Sequence, residues 1–330
     1  MSNSLKEIRW GIIGCGNVTE KKSGPAFNKV KGSSLVAVMC RSEPLAKDYA
    51  IRHGVPKWYS SAEALIEDME INAVYIATPP SFHAEYAIQC MHAGKPVYVE
   101  KPMAANYNDC LHMNKTAATT GIPLFTAYYR RTLPYFLKVK ELVDEEAVGK
   151  ILLISIALHL SPRPEDYHAE QLPWRVIPSI SGGGYFYDLA SHQLDLLDFL
   201  FGPVTAANGR KYNRGGLYAA EDTVFATLEL EKNIIVQGSW CFVVHPHNQC
   251  DMIEIFGSEG KISFSSYQYT PIMVEKNGIR KEYLPPAPEN IEFYLIKSIV
   301  EELQGTGKCP SDGSNGARTN RVMDLILGKI

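Results

Sequence analysis

The sequence predicts an α/β protein with two domains, and three features of the 330-residue chain point to this class. The chain is longer than about 250–300 residues, the size at which single hydrophobic cores stop growing. Short apolar strands alternate with helical segments through residue 127, which is typical of a doubly wound parallel sheet with helices on both faces. Later strands follow one another with hairpin signals, which favours a large, mostly antiparallel open sheet. We therefore predict a parallel-sheet domain in residues 1–127 and a second α/β domain in residues 128–330.

Composition and charge exclude several classes of protein. A hydrophobic content of 45% and a charged content of 21% are ordinary for a globular chain. The net charge of −3 gives no reason to expect nucleic acid or an anionic membrane as a partner. Seven cysteines without paired spacing suggest reduced thiols. The start of the chain lacks the layout of a signal peptide, and its longest apolar run is too short to span a bilayer. We expect a cytoplasmic protein.

The first strand leads into a glycine turn of the kind that binds dinucleotides. Ile8 to Ile13 is a short apolar run, and Gly14-Cys15-Gly16-Asn17-Val18-Thr19 follows it. The turn matches G-x-G-x-x-G with Thr19 in the third glycine position. The first glycine of this pattern makes the tight turn, and the second admits a pyrophosphate to the N-terminus of a helix. We expect dinucleotide contacts from Gly14, Gly16, Asn17 and Val18, although a plain glycine turn is the alternative for so short a motif.

The alternation that follows supports the dinucleotide interpretation. Further strands are predicted at 34–39, 73–77, 97–99 and 124–127, with helices between them. Ligands of such sheets bind at the carboxyl ends of the strands. The loops that begin at Gly14, Arg41, Thr78 and Glu100 should therefore line one crevice.

The end of the second strand bears on which dinucleotide is bound. NAD-selective sites usually place a carboxylate there, where it accepts from the ribose 2′-hydroxyl. Here the strand ends in Cys40-Arg41-Ser42, and the first carboxylate is Glu43. A guanidinium grips a 2′-phosphate well, and Ser42 adds a hydroxyl while capping the next helix. We predict NADP, with NAD as the alternative if Arg41 only covers the adenine and Glu43 reaches the ribose.

The stretch from Gly182 to Phe201 carries a carboxylate and an imidazole. Apolar residues recur there at helical spacing, so Asp188 and His192, four residues apart, share one face of a predicted helix. Histidine gains and loses a proton near neutrality, and a nearby carboxylate orients it. A capping aspartate and a buried core histidine are the structural alternative, and the stretch alone does not separate the two.

The pattern of the second domain predicts an open sheet with one uncovered face. Predicted strands lie at 151–160, 223–230, 234–244, 252–256, 261–265 and 272–275. Their apolar faces exceed what one helical layer covers, and an exposed sheet face of this kind marks an interface. We predict a homodimer or homotetramer built on this sheet.

Four motifs resemble those of the Gfo/Idh/MocA oxidoreductases, and the resemblance covers nearly the whole chain. They are the glycine turn, TPPSFH at 78–83, AGKPVYVEKP at 93–102 and GGGYFYDLASHQLD at 182–195. The resemblance implies a Rossmann domain followed by an α/β domain whose open sheet binds substrate on one face. It also implies hydride transfer between a nicotinamide cofactor and a carbinol or carbonyl of a sugar, sugar derivative, polyol or cyclic diol.

Several residue roles follow from the resemblance by position. Lys101 matches the active-site lysine of the EKP motif, and Glu100 lies near the nicotinamide ribose. Asp188 and His192 match the positions assigned to substrate binding and proton transfer. Thr78, Pro79 and His83 match the loop after the fourth strand, which lines the cofactor in the family. Whether Lys101 or His192 transfers the proton stays open.

Other candidates are weaker, and other functions stay possible. Family relatives include NAD-dependent glycoside hydrolases and dinucleotide-sensing regulators without catalysis, although the presence of Lys101, Asp188 and His192 together disfavours a regulator. The spacing of His245 and His247 with the nearby cysteines fits no standard metal site, so we predict none. Four residues are candidates to line the substrate site, each equally suited to packing: Tyr128, Arg163, Trp174 and Arg175.

Overall fold

The computed structural model describes residues 5–330, and the chain divides into two compact units. The first unit contains the chain up to Thr132 together with Glu289–Ala317. The second contains Leu133–Pro288 and Arg318–Ile330. The division near residue 130 lies close to the predicted one. The segment Glu289–Ala317 corrects our assignment of all residues from 128 to 330 to the second domain, because it belongs to the first unit.

The first unit is built on a six-stranded parallel sheet in the order β3-β2-β1-β4-β5-β6. From β1 the strand order runs to β3 in one direction, and from β4 it runs to β6 in the other. The topological switch point therefore lies between β1 and β4. The strands are β1 (Ile8–Ile13), β2 (Ser33–Met39), β3 (Lys57–Tyr59), β4 (Ala73–Ile76), β5 (Val97–Val99) and β6 (Leu124–Thr126).

Helices pack on both faces of this sheet because its strands are apolar on both sides. One buried cluster joins the sheet to Phe27 and Tyr49, and another joins it to Leu65, Met91 and Met113. The helices are α1 (Asn17–Lys21), α2 (Ser23–Phe27), α3 (Glu43–His53), α4 (Ala62–Glu67), α5 (His83–His92) and α6 (Tyr107–Thr120).

The second unit is built on an eight-stranded sheet in the order β14-β13-β12-β11-β7-β10-β9-β8. Among the described strand pairs of this sheet only β7–β10 is parallel, so the sheet is mostly antiparallel, as predicted. The strands are β7 (Ile151–His159), β8 (Val204–Tyr212), β9 (Thr223–Leu230), β10 (Ile234–Cys241), β11 (Cys250–Gly257), β12 (Gly260–Phe264), β13 (Ile272–Lys276) and β14 (Ile279–Tyr283).

Helices of the second unit cover one face of its sheet. They are α7 (Pro134–Asp144), α8 (Pro178–Ser181), a π-helical turn (Phe186–Ala190) and α9 (Ser191–Phe201). Buried and more exposed positions alternate along β9 from Val224 and along β10, with Leu228, Val236 and Trp240 buried on the covered face. The other face leaves Phe225 at 52% exposure and Ile235 at 37%.

The C-terminal part of the chain returns to the first unit. Helix α10 (Phe293–Leu303) places Leu295, Ile296 and Ile299 in the same buried cluster as Trp10 of β1. Helix α11 (Gly313–Ile326) follows and spans the boundary between the units at residue 317. No helix among residues 5–330 has the length and apolar character needed to cross a bilayer.

Candidate active site

The predicted cofactor loops all lie at one edge of the parallel sheet. Strands β2, β1, β4 and β5 are adjacent, and they lead directly into Cys40, Gly14, Ala77 and Glu100. Backbone hydrogen bonds of 2.9 Å connect the ends of neighbouring strands. The Ala77 amide donates to the Ile13 carbonyl, and the Glu100 amide donates to the Ile76 carbonyl. This edge includes the switch point between β1 and β4, where sheets of this type bind ligands.

The glycine turn has the backbone that its sequence predicts. Gly14 has a φ of +108°, and a Cβ there would meet the Ala77 carbonyl oxygen at 2.8 Å, so only glycine fits. Gly16 has an ordinary φ of −97°, and a Cβ there would meet nothing within 4 Å. Gly14 is therefore required by the fold, whereas the absence of a side chain at Gly16 leaves space before α1, which begins at Asn17 and includes Val18.

Thr19 fills the third glycine position without disturbing the turn. It is fully buried, and its hydroxyl donates to the Gly16 carbonyl at 2.8 Å. The close packing usually provided by the third glycine occurs at Gly24, where a Cβ would come within 2.2 Å of the Thr19 carbonyl oxygen. The Tyr49 hydroxyl also donates to this oxygen.

Arg41 extends from the end of β2 over the loop that follows β4. Its guanidinium carbon lies 5.5 Å from the centroid of the Phe82 ring, and its side chain is exposed. Ser42 occupies the N-cap position of α3 but makes no capping hydrogen bond with its side chain, unlike the predicted cap. Glu43 is exposed in the first turn of the helix.

The His83 side chain lies between the loop of Thr78 and the turn after Lys101 and contacts both. It is completely buried, with Nε2 2.8 Å from the Thr78 carbonyl oxygen and Nδ1 3.1 Å from that of Pro102. Burial lowers the pKa of the imidazole to about 4, so the ring is neutral at neutral pH. His83 thus links the Thr78 loop to the turn after Lys101, and a direct contact of His83 with the cofactor remains a prediction.

Thr78 offers a test of whether a cofactor fits this edge. Its hydroxyl oxygen is buried and has no hydrogen-bond partner among the described residues. A buried hydroxyl without a partner is costly, so a polar group of a bound ligand suits this position. The open space at Gly16, next to the N-terminus of α1, also leaves room for a phosphate group.

Glu100 and Lys101 follow β5 at this edge. Glu100 is buried, accepts from the Tyr75 hydroxyl through Oε1, and accepts from the Lys101 backbone amide through Oε2 at 3.2 Å. Burial raises the pKa of the Glu100 carboxyl. Nearby, the Tyr98 hydroxyl contacts Glu292, a second buried carboxyl at the start of α10. Sequence reasoning missed Glu292 because it assigned residue 292 to the other domain.

In the second unit, Asp188 and His192 lie on a distorted helix. Asp188 is part of the π-helical turn, and His192 is in the first turn of α9, so the predicted regular helix is interrupted between the glycines and Ser191. Both side chains are mostly buried, at 9% and 4% exposure. Single π-helical turns inside α-helices occur frequently at functional sites.

The structure brings three of the predicted site residues of this unit together. Arg175 Nε lies 3.1 Å from Asp188 Oδ2, and the Arg175 guanidinium lies 4.5 Å from the Trp174 ring centroid. Arg163 makes a different contact, because its guanidinium lies 4.3 Å from the Tyr185 ring centroid. The remaining candidate, Tyr128, belongs to the first unit and is fully buried.

Two acidic residues that the sequence analysis did not single out position this segment. Glu221 Oε1 accepts from the Gly184 amide at 2.7 Å, just before the π-helical turn. Asp251 accepts hydrogen bonds from the segment 265–268, which includes the Tyr267 amide at 2.7 Å. Tyr267 in turn lies edge-on to His192, with ring centroids 6.1 Å apart. Neither carboxylate has a sequence signal of its own, because the groups that both accept from are distant in the chain.

Among residues 5–330, no group of three or more histidine, cysteine, aspartate or glutamate side chains is placed to hold a metal ion. Across the strands, Cys241 and Cys250 flank His159, whose Nε2 contacts the Ser239 hydroxyl at 3.0 Å.

Comparison with protein families gives two matches along the chain. A model described as an oxidoreductase family with an NAD-binding Rossmann fold matches residues 8–128. A model described as the GFO/IDH/MocA C-terminal domain matches residues 136–263.

Curated relatives extend over nearly the full length. The chain is 39% identical to "Oxidoreductase P35" of Formosa agariphila over 322 residues, covering 97% of this chain and 98% of that protein. It is 24% identical to the 1,5-anhydro-D-fructose reductase of Ensifer adhaerens, covering 93% and 92%.

Solved structures show the same fold. A levoglucosan dehydrogenase in complex with NADH and levoglucosan matches with a TM-score of 0.85 at 23% identity, covering 97% and 96% of the chains. A 3-ketoreductase from Actinomadura kijaniata in complex with NADP and TDP-benzene matches with a TM-score of 0.83 at 19% identity, covering 97% of both chains.

Proposed function

The chain belongs to the Gfo/Idh/MocA oxidoreductase family, and from this membership we propose that it is an NAD(P)-dependent dehydrogenase or reductase. It transfers a hydride between a nicotinamide cofactor and a carbinol or carbonyl carbon of a sugar, sugar derivative, polyol or cyclic diol. The observation that carries the proposal is the edge of the parallel sheet at β1, β4 and β5, where the glycine turn, the buried Thr78 hydroxyl and the Glu100–Lys101 turn are adjacent.

Residues of the first unit would hold the cofactor. Gly14 and Gly16 admit the pyrophosphate to the amides of Asn17 and Val18 at the start of α1. The loop of Thr78 and Pro79 lies on the other side of the switch point, next to Glu100. When bound, the nicotinamide ring supplies the hydride acceptor or donor.

The protein's own groups handle the proton and the charge on the substrate oxygen. Oxidation of a carbinol needs a base for the hydroxyl proton and a cation for the developing alkoxide. We assign the proton to His192 and the alkoxide to the Lys101 ammonium, with the reverse assignment as the alternative. Asp188 accepts a substrate hydroxyl, and Arg175 at 3.1 Å holds this carboxylate in place.

We propose NADP as the preferred dinucleotide. No carboxylate stands at the end of β2, and the exposed Arg41 guanidinium lies over Phe82 beside the glycine turn. A fixed guanidinium at this position suits a 2′-phosphate, whereas a carboxylate would repel it. Related folds are solved with NADH and with NADP, so the fold is compatible with both.

We also propose a homodimer or homotetramer formed through the open face of the second unit's sheet. This face combines the exposed Phe225 and Ile235 with a cavity of about 510 Å³ between β7, β8, β9 and β10. The same face also carries polar side chains, among them Thr227, Gln237 and Ser239, and a mixed surface of this kind is compatible with an interface between copies of the chain. A cytoplasmic location accords with the seven cysteines, all of which are free thiols.

A panel of substrates tests the proposed reaction. The purified protein is incubated with sugars, polyols and cyclic diols and either oxidised dinucleotide, and in the reverse direction with the corresponding carbonyl compounds and reduced dinucleotide. We expect a change in nicotinamide absorbance with at least one pair, which is lost in Lys101→Met. Release of sugar from a glycoside without net absorbance change would instead support the hydrolase alternative. Dinucleotide binding without turnover of any kind would contradict the enzymatic proposal.

A further inference from the structure

Two buried carboxyls lie beneath the Lys101 turn, each bound to a tyrosine. Tyr75 and Tyr98 are register partners on β4 and β5, and their rings stack with centroids 4.7 Å apart at 26°. The Tyr75 hydroxyl donates to Glu100 Oε1, and the Tyr98 hydroxyl is 2.8 Å from Glu292 Oε2. Because the stacked rings run side by side, the two carboxyls lie next to each other at the hydroxyl ends of the rings.

Two negative charges at this depth would be costly. Glu292 is 1% exposed and Glu100 is 8% exposed. Burial disfavours the charged form of each carboxyl, and a charge on one disfavours a charge on the other. Neighbouring carboxyls of this kind lose their protons in two separate steps, so one of them stays neutral over a range of pH.

The hydrogen bonds indicate which carboxyl loses its proton first. Glu100 accepts from two donors, the Tyr75 hydroxyl and the Lys101 backbone amide, and donors of this kind stabilise a carboxylate. The Tyr98 hydroxyl that contacts Glu292 can donate to a carboxylate or accept from a protonated carboxyl. Glu100 is thus the better carboxylate and Glu292 the better acid.

We propose that Glu292 carries a proton at neutral pH and acts as a positioning residue for the Lys101 turn. Its neutral carboxyl allows Glu100 to remain a carboxylate that fixes the Lys101 backbone amide. The proposal rests on the proposed function only in the role that it gives to Lys101. Glu292, which is almost 200 residues away from the EKP motif in sequence, thereby determines which of the two buried carboxyls is charged.

The groups around Glu292 support this assignment. Burial and the charge of Glu100 raise the pKa of Glu292 to about 8, and these two causes outweigh the hydrogen bond to Tyr98 and the cations of Lys22 and Lys101. The two tyrosines of the cluster, Tyr75 and Tyr98, have their pKa raised well above 10 by burial, so both stay protonated.

Because the pKa of Glu292 is raised in the folded state, the free energy of unfolding should decrease as the pH rises. The folded state binds the proton of Glu292 more tightly than the unfolded state, whose pKa is near the ordinary 4.5. Its stabilising effect is therefore complete below about pH 4.5 and is lost as the pH rises to about 8.

Replacement of Glu292 by its neutral isostere tests the proposal. The unfolding equilibrium constant of the wild type is divided by that of Glu292→Gln from about pH 5 to about pH 9. We expect this ratio to rise by up to about tenfold per pH unit and to level off above pH 8. Glu289→Gln, an exposed change in the same segment, is the control and should leave the ratio to wild type independent of pH. A ratio for Glu292→Gln that is equally flat would overturn the proposal.

Infrared spectroscopy provides a second readout that requires neither substrate nor turnover. At near-neutral pH the wild type should show the C=O stretch of a buried protonated carboxyl, and Glu292→Gln should lack it. If Glu292→Gln does not fold, Tyr98→Phe takes its place: loss of the hydroxyl should move the alkaline step in stability to higher pH. Persistence of the band in Glu292→Gln, or an unmoved step in Tyr98→Phe, contradicts the proposal. Failure of the proposed function would appear as absent turnover and would leave both readouts unchanged.

Discussion

Arg175 and Asp188 form an ion pair in the second unit, with Arg175 Nε 3.1 Å from Asp188 Oδ2. Asp188 is mostly buried, whereas a third of the Arg175 side chain is exposed and lies against Trp174. The exposed guanidinium thus holds a buried carboxylate at the start of the His192 helix.

Loss of this pair should impair catalysis more than folding. We expect Arg175→Met to lower kcat/KM by about tenfold, since part of the interaction is screened by solvent. Steady-state kinetics measure the effect, with Arg214→Met, an exposed arginine of the same unit, as the control. Equal kinetics of the two variants would show that Arg175 does not orient Asp188.

His192 tests the proton-transfer assignment. We expect His192→Ala to lower kcat by roughly 10²–10⁴, the usual contribution of positioned acid–base catalysis, while dinucleotide affinity stays nearly unchanged. Rapid kinetics and a binding titration with the reduced dinucleotide measure the two quantities separately. A parallel loss of dinucleotide binding would mean that His192 has a structural role only.

The two glycines of the dinucleotide turn should respond differently to the same change. Gly14→Ala forces a side chain into a φ of +108° against the Ala77 carbonyl, which should cost roughly 1–3 kcal/mol of unfolding free energy. Gly16→Ala should leave stability within about 0.5 kcal/mol, because its Cβ meets nothing, yet it should weaken dinucleotide binding. Denaturant unfolding and binding titrations distinguish the two. Unchanged dinucleotide affinity in Gly16→Ala would argue against a pyrophosphate at this turn.

Arg41 decides the preference between the two dinucleotides. We expect wild-type protein to bind NADPH more tightly than NADH, and Arg41→Ala to reduce the ratio of affinities by about tenfold or more through loss of a charged contact to the 2′-phosphate. Fluorescence titration provides both affinities. Lys47→Ala removes another exposed cation nearby, over Trp58, and should leave the ratio unchanged. Tighter binding of NADH by the wild type would contradict the NADP proposal.

The open sheet face should control assembly. Phe225→Asp places a charge on this face, on the strand next to the edge strand β8, where Phe225 is 52% exposed, and should shift a dimer or tetramer towards monomer. Light scattering at micromolar concentration measures the mass. Leu45→Asp, at a 59% exposed leucine of α3 in the first unit, should leave the mass unchanged. A monomeric wild type would exclude an interface on this sheet.

Local patterns were sufficient to predict much of the fold. The glycine turn, the alternation up to residue 127 and the alternation of β9 and β10 each depend on neighbouring residues alone, and the fold class derived from them is confirmed. The hairpin signals also hold, since Lys232, Asn233 and Asn277 adopt positive φ.

The remaining features depend on partners distant in the chain. The apolar face of helix α10 packs beside Trp10, some 285 residues earlier in the chain, and hydrophobic periodicity does not reveal such a partner. The π-helical turn at Asp188 and the carboxylates of Glu221, Asp251 and Glu292 depend equally on tertiary contacts. The roles of Lys101, Asp188 and His192 remain predictions.

The return of α10 to the first unit has a consequence for how the protein is made. Leu295, Ile296 and Ile299 complete a core that also contains Trp10 and Phe27. Domains generally fold during synthesis from the N-terminus onwards. This core, however, lacks the apolar side chains of α10 until nearly the whole chain has left the ribosome. A fragment that ends at Thr132 would expose this apolar surface, so the dinucleotide-binding unit should be expressed only with residues 289–317 joined to it.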